Sequence, residues 1–500
     1  MRVFYIWLVL TFNCLVFAQT LFERQIVPFD AMGNDFFGQS IATNDSLLFI
    51  SSLRYQNTIE SCVYVYKFEN NDYTYLTKIF PDDPEANALF GTNILYADEQ
   101  LFVGTQNKKI NGYTVGALYI FTYENGGWVQ KQRIIPPEPL SSQKYFSNVV
   151  AKLNETLVVS AFRSDAGAID NGKVFIFNYK NGQYILSQEI FPFDPKDYQF
   201  FGTSLVIKNN LLLIGCQNDS TASGWESGSV YAYNLIDTLW TFTRKYLPNI
   251  GSESLTLGAS MVSNDKHVFV GTSGSIYFNK PGQVYIYKIN DNLIDLQQII
   301  SSDEGYFDDK FGIVLDVKGD TLLVSALFDT VANYASGSVY LFQEENEQWI
   351  RKIKIRPSDP SLASWFGNSL KISENIFFIG SKLAKVNNEY PGKVYLFSSS
   401  PLSVLFDPIL LGPSIFKLSD NYPNPFNPIT KINYTISKNE FVSIKVFDIL
   451  GKEITTLVNE EKSSGSYEIS FEAINIASGI YFYQLRAGDF VETKKMILLK

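Results

Sequence analysis

The sequence is poor in the side chains on which many catalytic and metal sites depend. Its 500 residues include one histidine and three cysteines. One histidine is too few for a histidine-rich metal site, and we expect His267 on the face opposite the candidate binding surface, which also argues against a histidine-based catalytic triad. Cys14 lies in an N-terminal segment that we expect to be removed, and Cys62 and Cys216 are far apart in the chain. We therefore expect a fold that does not depend on disulfide bonds.

Charge is also scarce, and its balance is acidic. Charged residues make up 18% of the sequence, and the formal net charge is -10. Nucleic acids and anionic membrane surfaces select clustered lysine and arginine, so this balance argues against both as partners.

Long apolar runs are absent except at the N-terminus. Residues 1–18 begin with Met1 and Arg2, continue as an apolar stretch shorter than a comfortable membrane span, and end on Ala18. This pattern is typical of a secretory signal peptide. We therefore expect an exported mature chain without a transmembrane segment.

Aromatic residues and glycine are abundant, with 40 Phe, 30 Tyr and 32 Gly. This composition favours many short strands joined by turns. A Phe-Gly pair or a close variant of it recurs at intervals of 53 to 56 residues. The seven anchor positions are Phe37, Phe90, Phe146, Phe201, Leu257, Phe311 and Phe366.

Each copy of this repeat has the same internal order. A small residue closes an apolar run 14 residues after every anchor, as Ser51 and Gly104 do. A third run alternates apolar and aromatic residues, such as VYVY from Val63, and a fourth run follows a turn. Four strand-like runs repeated seven times predict an all-β, seven-bladed β-propeller with four-stranded blades.

The last copy lacks a fourth run, and the N-terminal segment supplies one. Residues 20–28, TLFERQIVP, are similar to fourth runs such as YILSQEIFP at residues 184–192. We expect this N-terminal strand to complete the seventh blade and to close a monomeric propeller that spans residues 19–400.

These features resemble the FG-GAP repeats of integrin α-subunit propellers and their bacterial relatives, over roughly residues 20–400. Calcium-binding members of that family carry a longer loop with alternate aspartates between the first two strands. The corresponding turns here, such as ATNDSL from Ala42 and DVKGDT from Asp316, are too short for such a loop. We therefore predict no metal and no other cofactor in the blades. His267 is expected in one of these turns, in blade 5.

The candidate binding surface is the face on which loop length varies. The second-to-third interval ranges from 12 to 15 residues, whereas the first-to-second interval is fixed. The second-to-third loops and the blade-to-blade loops of a propeller emerge on one face, which we call the variable-loop face. The residues that we predict there are Asp82, Asp83, Tyr145, Asp194, Asp197, Tyr198, Asp303, Tyr306, Asp308, Asp309, Asp359 and Trp365. They suit a polysaccharide or a basic protein surface, although aspartates in turns such as PFDP can serve only to cap local amides.

After residue 400 the repeat ends and a second unit begins. Residues 401–415 interrupt the pattern with proline and serine and are predicted to form a linker. Residues 416–500 contain short alternating strands, which predict an immunoglobulin-like β-sandwich. A proline-rich motif opens this unit. Its residues are Asn421, Tyr422, Pro423, Asn424, Pro425, Phe426, Asn427 and Pro428.

This motif, together with VFDILGKEI from Val446, ASGIYFYQL from Ala477 and the lysine-containing end, resembles the type A C-terminal sorting domain of the type IX secretion system of Bacteroidota. The resemblance implies that this unit is an export signal that is usually removed after secretion. It implies that the type IX secretion machinery is a partner, and that the chain passes through the periplasm to the outer-membrane surface or the medium.

The sequence leaves three functions open. We favour a binding or adhesion protein whose ligand is a polysaccharide or another surface protein, because no catalytic signature is visible. A carbohydrate-active enzyme would use paired carboxylates on the variable-loop face. A structural surface protein would need no small ligand there.

Overall fold

The computed structural model consists of strands and turns in the residues that it describes. These are residues 21–499 except 31–32, 55–60, 70–71, 138–143, 250, 276, 279, 303–308, 332–333, 375, 388, 399–415, 420, 422, 437–439, 463–464, 475 and 489. The predicted signal peptide and the predicted linker lie outside the described residues, so both stay predictions.

Seven four-stranded antiparallel sheets form the larger part of the chain and confirm the predicted blades. The strands of blade 1 are Ile41–Thr43, Leu47–Ser52, Cys62–Glu69 and Asp72–Ile79. Those of blade 2 are Phe90–Ala97, Gln100–Thr105, Ala117–Glu124 and Gly127–Ile134. Those of blade 3 are Phe146–Leu153, Thr156–Ala161, Lys173–Lys180 and Gln183–Ile190. Those of blade 4 are Phe201–Lys208, Leu211–Cys216, Ser229–Ile236 and Leu239–Tyr246.

The remaining blades follow the same order from first to fourth strand. The strands of blade 5 are Ser260–Ser263, His267–Gly271, Gln283–Asn290 and Leu293–Ser301. Those of blade 6 are Phe311–Lys318, Thr321–Ala326, Ser338–Glu345 and Gln348–Ile355. Those of blade 7 are Phe366–Ile372, Ile376–Ser381, Lys393–Ser398 and, from the N-terminus, Phe22–Ile26. Two short hairpins lie in the second-to-third loops of blades 2 and 6, formed by Lys109–Ile110 with Tyr113–Thr114 and by Thr330–Val331 with Tyr334–Ala335.

The N-terminal strand closes the ring as predicted. Phe22 pairs with Ser398 and Ile26 pairs with Val394, so the strand lies antiparallel to the third strand of blade 7. Closure removes the free edge that blade 7 would otherwise present to other chains.

The first strand of each blade lies innermost in the ring, because it borders the first strands of neighbouring blades. The hydroxyl of Ser204 donates to the carbonyl of Gly258 at 2.7 Å, and the amide of Ile94 donates to the hydroxyl of Ser40 at 3.1 Å. Each hydrogen bond joins the first strand of one blade to a residue one or two positions before the first strand of a neighbouring blade. The second, third and fourth strands follow outward.

The hydrophobic cores lie between consecutive blades. Ile79 of blade 1 packs in one cluster with Phe90 of blade 2, and Ile26 of blade 7 packs in another with Tyr64 of blade 1. Seven such clusters surround the ring. Each blade therefore depends on both neighbours for its apolar burial.

Steric contact between blades explains the small residue 14 positions after each anchor. A Cβ atom built on Gly104 would lie 2.5 Å from the carbonyl oxygen of Ser147 in the next blade. The glycine before the third strand is constrained in the same way, because a Cβ on Gly116 would lie 2.5 Å from the carbonyl oxygen of Phe146. Gly116 also has a φ of 95°, which L side chains rarely adopt.

The scarce cysteine and histidine side chains are buried in blades. Cys62 and Cys216 are free and belong to blades 1 and 4. The predicted position of His267 in a turn is wrong, because His267 is the first residue of the second strand of blade 5. Its Nε2 lies 3.0 Å from Oε1 of Gln297, and burial lowers the pKa of the ring, which favours the neutral form.

The C-terminal unit is a sandwich of two sheets around one core, as predicted. One sheet consists of Lys417–Leu418, Ile429–Ile436 and Gly465–Glu472. The other consists of Glu453–Lys462, Glu440–Phe447, Gly479–Ala487 and Phe490–Leu498. Both sheets contribute to the core, for example through Ile432 and Met496. In the described part of the chain, no helix has the length and apolar character needed to cross a membrane.

Candidate functional site

An ion pair shows that a second-to-third loop and a blade-to-blade loop lie on one face. Asp83 follows the fourth strand of blade 1, and Lys108 follows the second strand of blade 2. The Nζ atom of Lys108 lies 3.0 Å from Oδ2 of Asp83. The blade-to-blade loops and the second-to-third loops therefore meet on the variable-loop face.

Within the described blade-to-blade loops, four aspartates make the same contact, which we call the clasp. Each accepts a hydrogen bond from a tyrosine hydroxyl on the third strand of the next blade, and each is paired with a nearby lysine of that blade. The four pairs of aspartate and tyrosine are Asp30 with Tyr64, Asp83 with Tyr119, Asp194 with Tyr231 and Asp359 with Tyr395. The corresponding lysines are Lys78, Lys108, Lys245 and Lys393.

The clasp sets the protonation of its members. Burial alone would raise the pKa of Asp83, but Lys108, Tyr119 and Arg133 hold the pKa below its ordinary value. Burial and the nearby Asp83 raise the pKa of Tyr119, which stays protonated and donates. The clasp is thus a charged network that fastens each of these loops to the following blade.

The predicted acidic residues divide by their surroundings. Asp83, Asp194 and Asp359 belong to clasps, so their carboxylates already have partners within the chain. Those partners are side chains of the next blade and not the local amides that a simple turn would use. Asp309 is buried and accepts hydrogen bonds from the Ser302 hydroxyl at 2.8 Å and from the Phe311 amide at 3.1 Å. Burial raises its pKa.

The other predicted loop residues are exposed or lie outside the described residues. Asp82 and Tyr198 are exposed. Asp197 is also exposed and accepts a hydrogen bond from the amide of Ile169 at 2.8 Å. Three of the predicted positions lie outside the described residues, namely Asp303, Tyr306 and Asp308.

Tyr145 and Trp365 occupy equivalent positions in an inner ring of the variable-loop face. This ring consists of the residues immediately before the seven anchors, which all have a positive φ between 45° and 63°. Its members are Phe36, Leu89, Tyr145, Phe200, Thr256, Lys310 and Trp365. Five of them directly precede the first strand of a blade, and Phe36 and Thr256 stand a few residues before the shorter first strands of blades 1 and 5. Because the first strands lie innermost, the inner ring surrounds the axis of the propeller. Holding bulky residues at positive φ costs about 1–3 kcal/mol each, so neighbouring structure must impose it.

Two basic side chains stack on aromatic members of the inner ring. The guanidinium carbon of Arg163 lies 5.2 Å from the ring centre of Tyr145 and 5.0 Å from that of Phe200. The Nζ atom of Lys382 lies 4.6 Å from the ring centre of Trp365 and donates to Oε1 of Gln39 at 2.8 Å. These contacts have the geometry of cation–π interactions.

A second group of aromatic side chains was not predicted from the sequence. Four exposed residues stand in the second-to-third loops of blades 2, 4, 5 and 7, and we call them the aromatic crown. They are Tyr113, Trp225, Tyr277 and Tyr390, with exposed fractions of 51%, 59%, 92% and 44%. A sequence signal for them exists, since each stands two to five residues before the glycine that precedes the third strand.

A metal site would require several closely placed His, Cys, Asp or Glu side chains in the described part of the chain. No cluster of three or more His, Cys, Asp or Glu side chains with suitable geometry occurs among those residues.

The proline-rich motif at the start of the sandwich is held by two buried side chains. Phe426 is in the core, and its amide donates to the carbonyl of Ile497 at 2.9 Å. Asn421 donates through Nδ2 to the carbonyl of Pro423 at 3.1 Å and to the Thr430 hydroxyl at 2.9 Å. The exposed members are Pro423, Asn424, Pro425 and Asn427, Pro428 is partly exposed, and Tyr422 lies outside the described residues.

Comparison with known families matches both units. Residues 420–499 match the Secretion system C-terminal sorting domain, and residues 295–342 match the FG-GAP repeat. No curated protein sequence matches the chain.

Several solved structures are similar to the chain. PorZ of Porphyromonas gingivalis, described as an essential surface component of the type IX secretion system, is 12% identical with a TM-score of 0.42, over 95% of this chain and 61% of PorZ. This chain thus spans less than two thirds of PorZ. A fungal alcohol oxidase of the AA5 family in complex with copper is 11% identical with a TM-score of 0.44, over 95% of this chain and 99% of the oxidase. The β-propeller domain of the Trilobed protease from Pyrococcus furiosus is 9% identical with a TM-score of 0.40, over 73% of this chain and 98% of that domain.

The sorting domain directs export by the type IX secretion system to the cell surface or the extracellular space. The chain is therefore a β-propeller with an FG-GAP repeat that carries a type IX secretion C-terminal sorting domain at residues 420–499.

Proposed function

We propose that the exported propeller binds a polysaccharide through the aromatic crown on its variable-loop face. The observation that carries this proposal is the repeated exposure of large aromatic side chains at related positions of four blades. Exposed aromatic rings are costly to leave in water, and their repetition on one face indicates a contact surface. Tyr and Trp are suited to it, because each combines an apolar face with a polar tip.

A polymer fits this arrangement better than a single sugar. The crown residues belong to separate blades, so each can stack on a different sugar unit along a chain. Individual contacts of this kind are weak, but several that form simultaneously on one polymer raise the apparent affinity through effective concentration.

The clasps support binding over catalysis at this face. A glycosidase needs two carboxylates that flank the scissile bond with room for substrate or water. Asp83, Asp194 and Asp359 instead accept hydrogen bonds from tyrosines and are paired with lysines. Carboxylates committed to such networks are poorly placed to act as nucleophile or base.

The test is a glycan array and a polysaccharide pull-down with the mature chain, residues 19–500, and with the fourfold variant Tyr113→Ala, Trp225→Ala, Tyr277→Ala, Tyr390→Ala. The matched control is Tyr123→Ala with Leu239→Ala, on the opposite face. Tyr123 is exposed to the same fraction as Tyr113, 51%. We expect the crown variant to lose about tenfold or more in affinity, as for truncated hot-spot residues, and the control to bind like the wild type.

Three other outcomes would redirect the interpretation. Equal binding by the crown variant and the wild type would remove the crown from the site. Cleavage of a bound polymer would make a carbohydrate-active enzyme the better description. Absence of binding to every glycan would favour a protein partner or a structural surface role.

A further inference from the structure

Arg163 lies at the inner ring and has no carboxylate partner among the described residues. Its guanidinium lies between the rings of Tyr145 and Phe200, and its Nε has no hydrogen-bond partner. Among the described residues it forms neither an ion pair nor a hydrogen bond. An arginine stacked on its flat faces keeps the terminal amino groups of its edge, although not the buried Nε, available for an oxyanion.

Lys382 is in a similar position on another part of the same ring. Its Nζ contacts the face of Trp365 and the amide oxygen of Gln39, and no carboxylate within the described chain pairs with it. Burial lowers the pKa of Lys382 to about 8, because desolvation disfavours the charged form and no nearby anion offsets it.

These two partly buried cations contrast with the clasp lysines of the same face. The clasp lysines Lys78, Lys108, Lys245 and Lys393 are each paired with an aspartate. The chain has an excess of acidic residues, with a formal net charge of -10. Partly burying two cations that have no carboxylate partner in the described part of the chain is unfavourable unless an anion from outside pairs with them.

We propose that the inner ring binds the carboxylate or sulfate groups of an acidic polysaccharide, with Arg163 and Lys382 as the two anion contacts. This inference rests on the proposed function of the aromatic crown and names its ligand class. Arg163 would donate two parallel N–H hydrogen bonds to one oxyanion, and Lys382 would attract a second one along the polymer. Blades 3 and 7 stand well apart in a ring of seven, so one polymer could cross the axis between them.

The experiment measures binding of the mature chain to four polymers: polygalacturonate, dextran sulfate, neutral dextran and poly-L-glutamate. The variants are Arg163→Met and Lys382→Met, which keep much of each apolar stem. Lys131→Met is the control, because Lys131 is paired with Glu124 on an exposed outer strand and its loss changes the net charge equally. Thermal unfolding of every variant checks that the propeller is folded.

We expect both anionic polysaccharides to bind more tightly than neutral dextran, with a preference that weakens as salt screens the charges. Each inner-ring variant should lose about tenfold in affinity for them, or about 1.4 kcal/mol, while Lys131→Met binds like the wild type. Stronger binding of polygalacturonate than of dextran sulfate would assign the carboxylate source, and the reverse would assign sulfate.

The possible failures are distinguishable. Crown-dependent binding of neutral glycans without any effect of Arg163→Met or Lys382→Met would overturn the anion site and leave the proposed function standing. Binding of poly-L-glutamate as tight as that of the acidic polysaccharides would overturn the assignment to a glycan. If no polysaccharide bound at all, both proposals would fall together.

Discussion

Asp82 and Asp83 are neighbours in the chain with different surroundings. Asp82 is exposed, whereas Asp83 accepts hydrogen bonds from Tyr119 at 2.9 Å and from Arg133, and forms an ion pair with Lys108. The two residues look alike in the sequence as members of one acidic turn. Only the contacts with the following blade separate a structural carboxylate from a free one.

The first prediction concerns this difference. Asp83→Asn should lower the free energy of unfolding by about 1–3 kcal/mol, because the buried Lys108 keeps only the longer ion pair with Glu85 and a charge-assisted network is broken. Urea unfolding of the mature chain measures the change. Asp82→Asn is the control and should leave the stability within about 0.5 kcal/mol of the wild type. Equal effects of the two substitutions would contradict the clasp.

Acid dependence gives the same prediction a second readout. The pKa of Asp83 is lowered in the folded chain, so its stabilising effect is present above its ordinary, unfolded pKa and is lost as the pH falls through the lower folded value. The wild type should therefore lose stability below about pH 4 more steeply than Asp83→Asn does. A melting-temperature series from neutral to acid pH checks this.

At the scale of the strand and the blade, the repeat could be predicted because steric contacts fix its spacing. Gly104 packs against the backbone of the next blade at Ser147, and Gly116 packs against Phe146. Such backbone contacts restrict these positions to small residues, so they leave a periodic trace in the sequence. The number of blades, the strand order and the closing strand follow from that trace.

The clasps and the inner ring could not be predicted in the same way. Asp83 meets Tyr119 and Arg133, which are 36 and 50 residues away, and nothing in the spacing of turn residues indicates such a partner. The stacking of Arg163 on Tyr145 and Phe200 depends on side-chain placement across two blades. Sequence reasoning placed Tyr145 and Trp365 among the loops of one face, and the structure shows that both belong to the inner ring; the role of that face in binding stays a prediction. It also predicted Asp83, Asp194 and Asp359 as ligand contacts, whereas their carboxylates have partners within the chain.

The second prediction concerns closure of the ring by its N-terminal strand. Ile26 is fully buried in the cluster between blades 7 and 1, and Glu23 accepts hydrogen bonds from the amide and hydroxyl of Ser358 at 3.0 and 2.6 Å. A chain that begins at Phe29 should melt at a lower temperature and aggregate, because the third strand of blade 7 becomes a free edge. A synthetic peptide of residues 19–28 should restore the melting temperature by adding the missing strand.

The peptide also supplies the control for this prediction. The same peptide with Ile26→Asp should not restore stability, because it would bury a charge in the closing cluster. Differential scanning fluorimetry with increasing peptide concentration measures both cases. If the shortened chain were as stable as the mature one, closure by this strand would be unnecessary and the prediction wrong.

At the scale of the whole molecule, the chain combines a β-propeller with a sorting domain that directs its export. Hydrophobic cores between consecutive blades and the four described clasps support the loops of the variable-loop face, which carries the aromatic crown and the inner ring. The sorting domain has its own core of Ile432, Ile444, Tyr483 and Met496. This core contains no residue of the propeller, so a substitution in it can test export separately from the blades.

The last prediction is that export requires the folded sandwich. Met496 and Lys495 are neighbours in its last strand, but Met496 is fully buried in the core and Lys495 is exposed. Met496→Asp should unfold the sandwich, since an unpaired buried carboxylate costs several kcal/mol, and it should also detach the proline-rich motif that bonds to the adjacent Ile497. Immunoblots of fractionated cells should then find Met496→Asp in the periplasm and Lys495→Asp at the surface or in the medium. Because both substitutions introduce the same residue into the same strand, equal export of the two variants would mean that the machinery reads the sequence of the tail and not its fold.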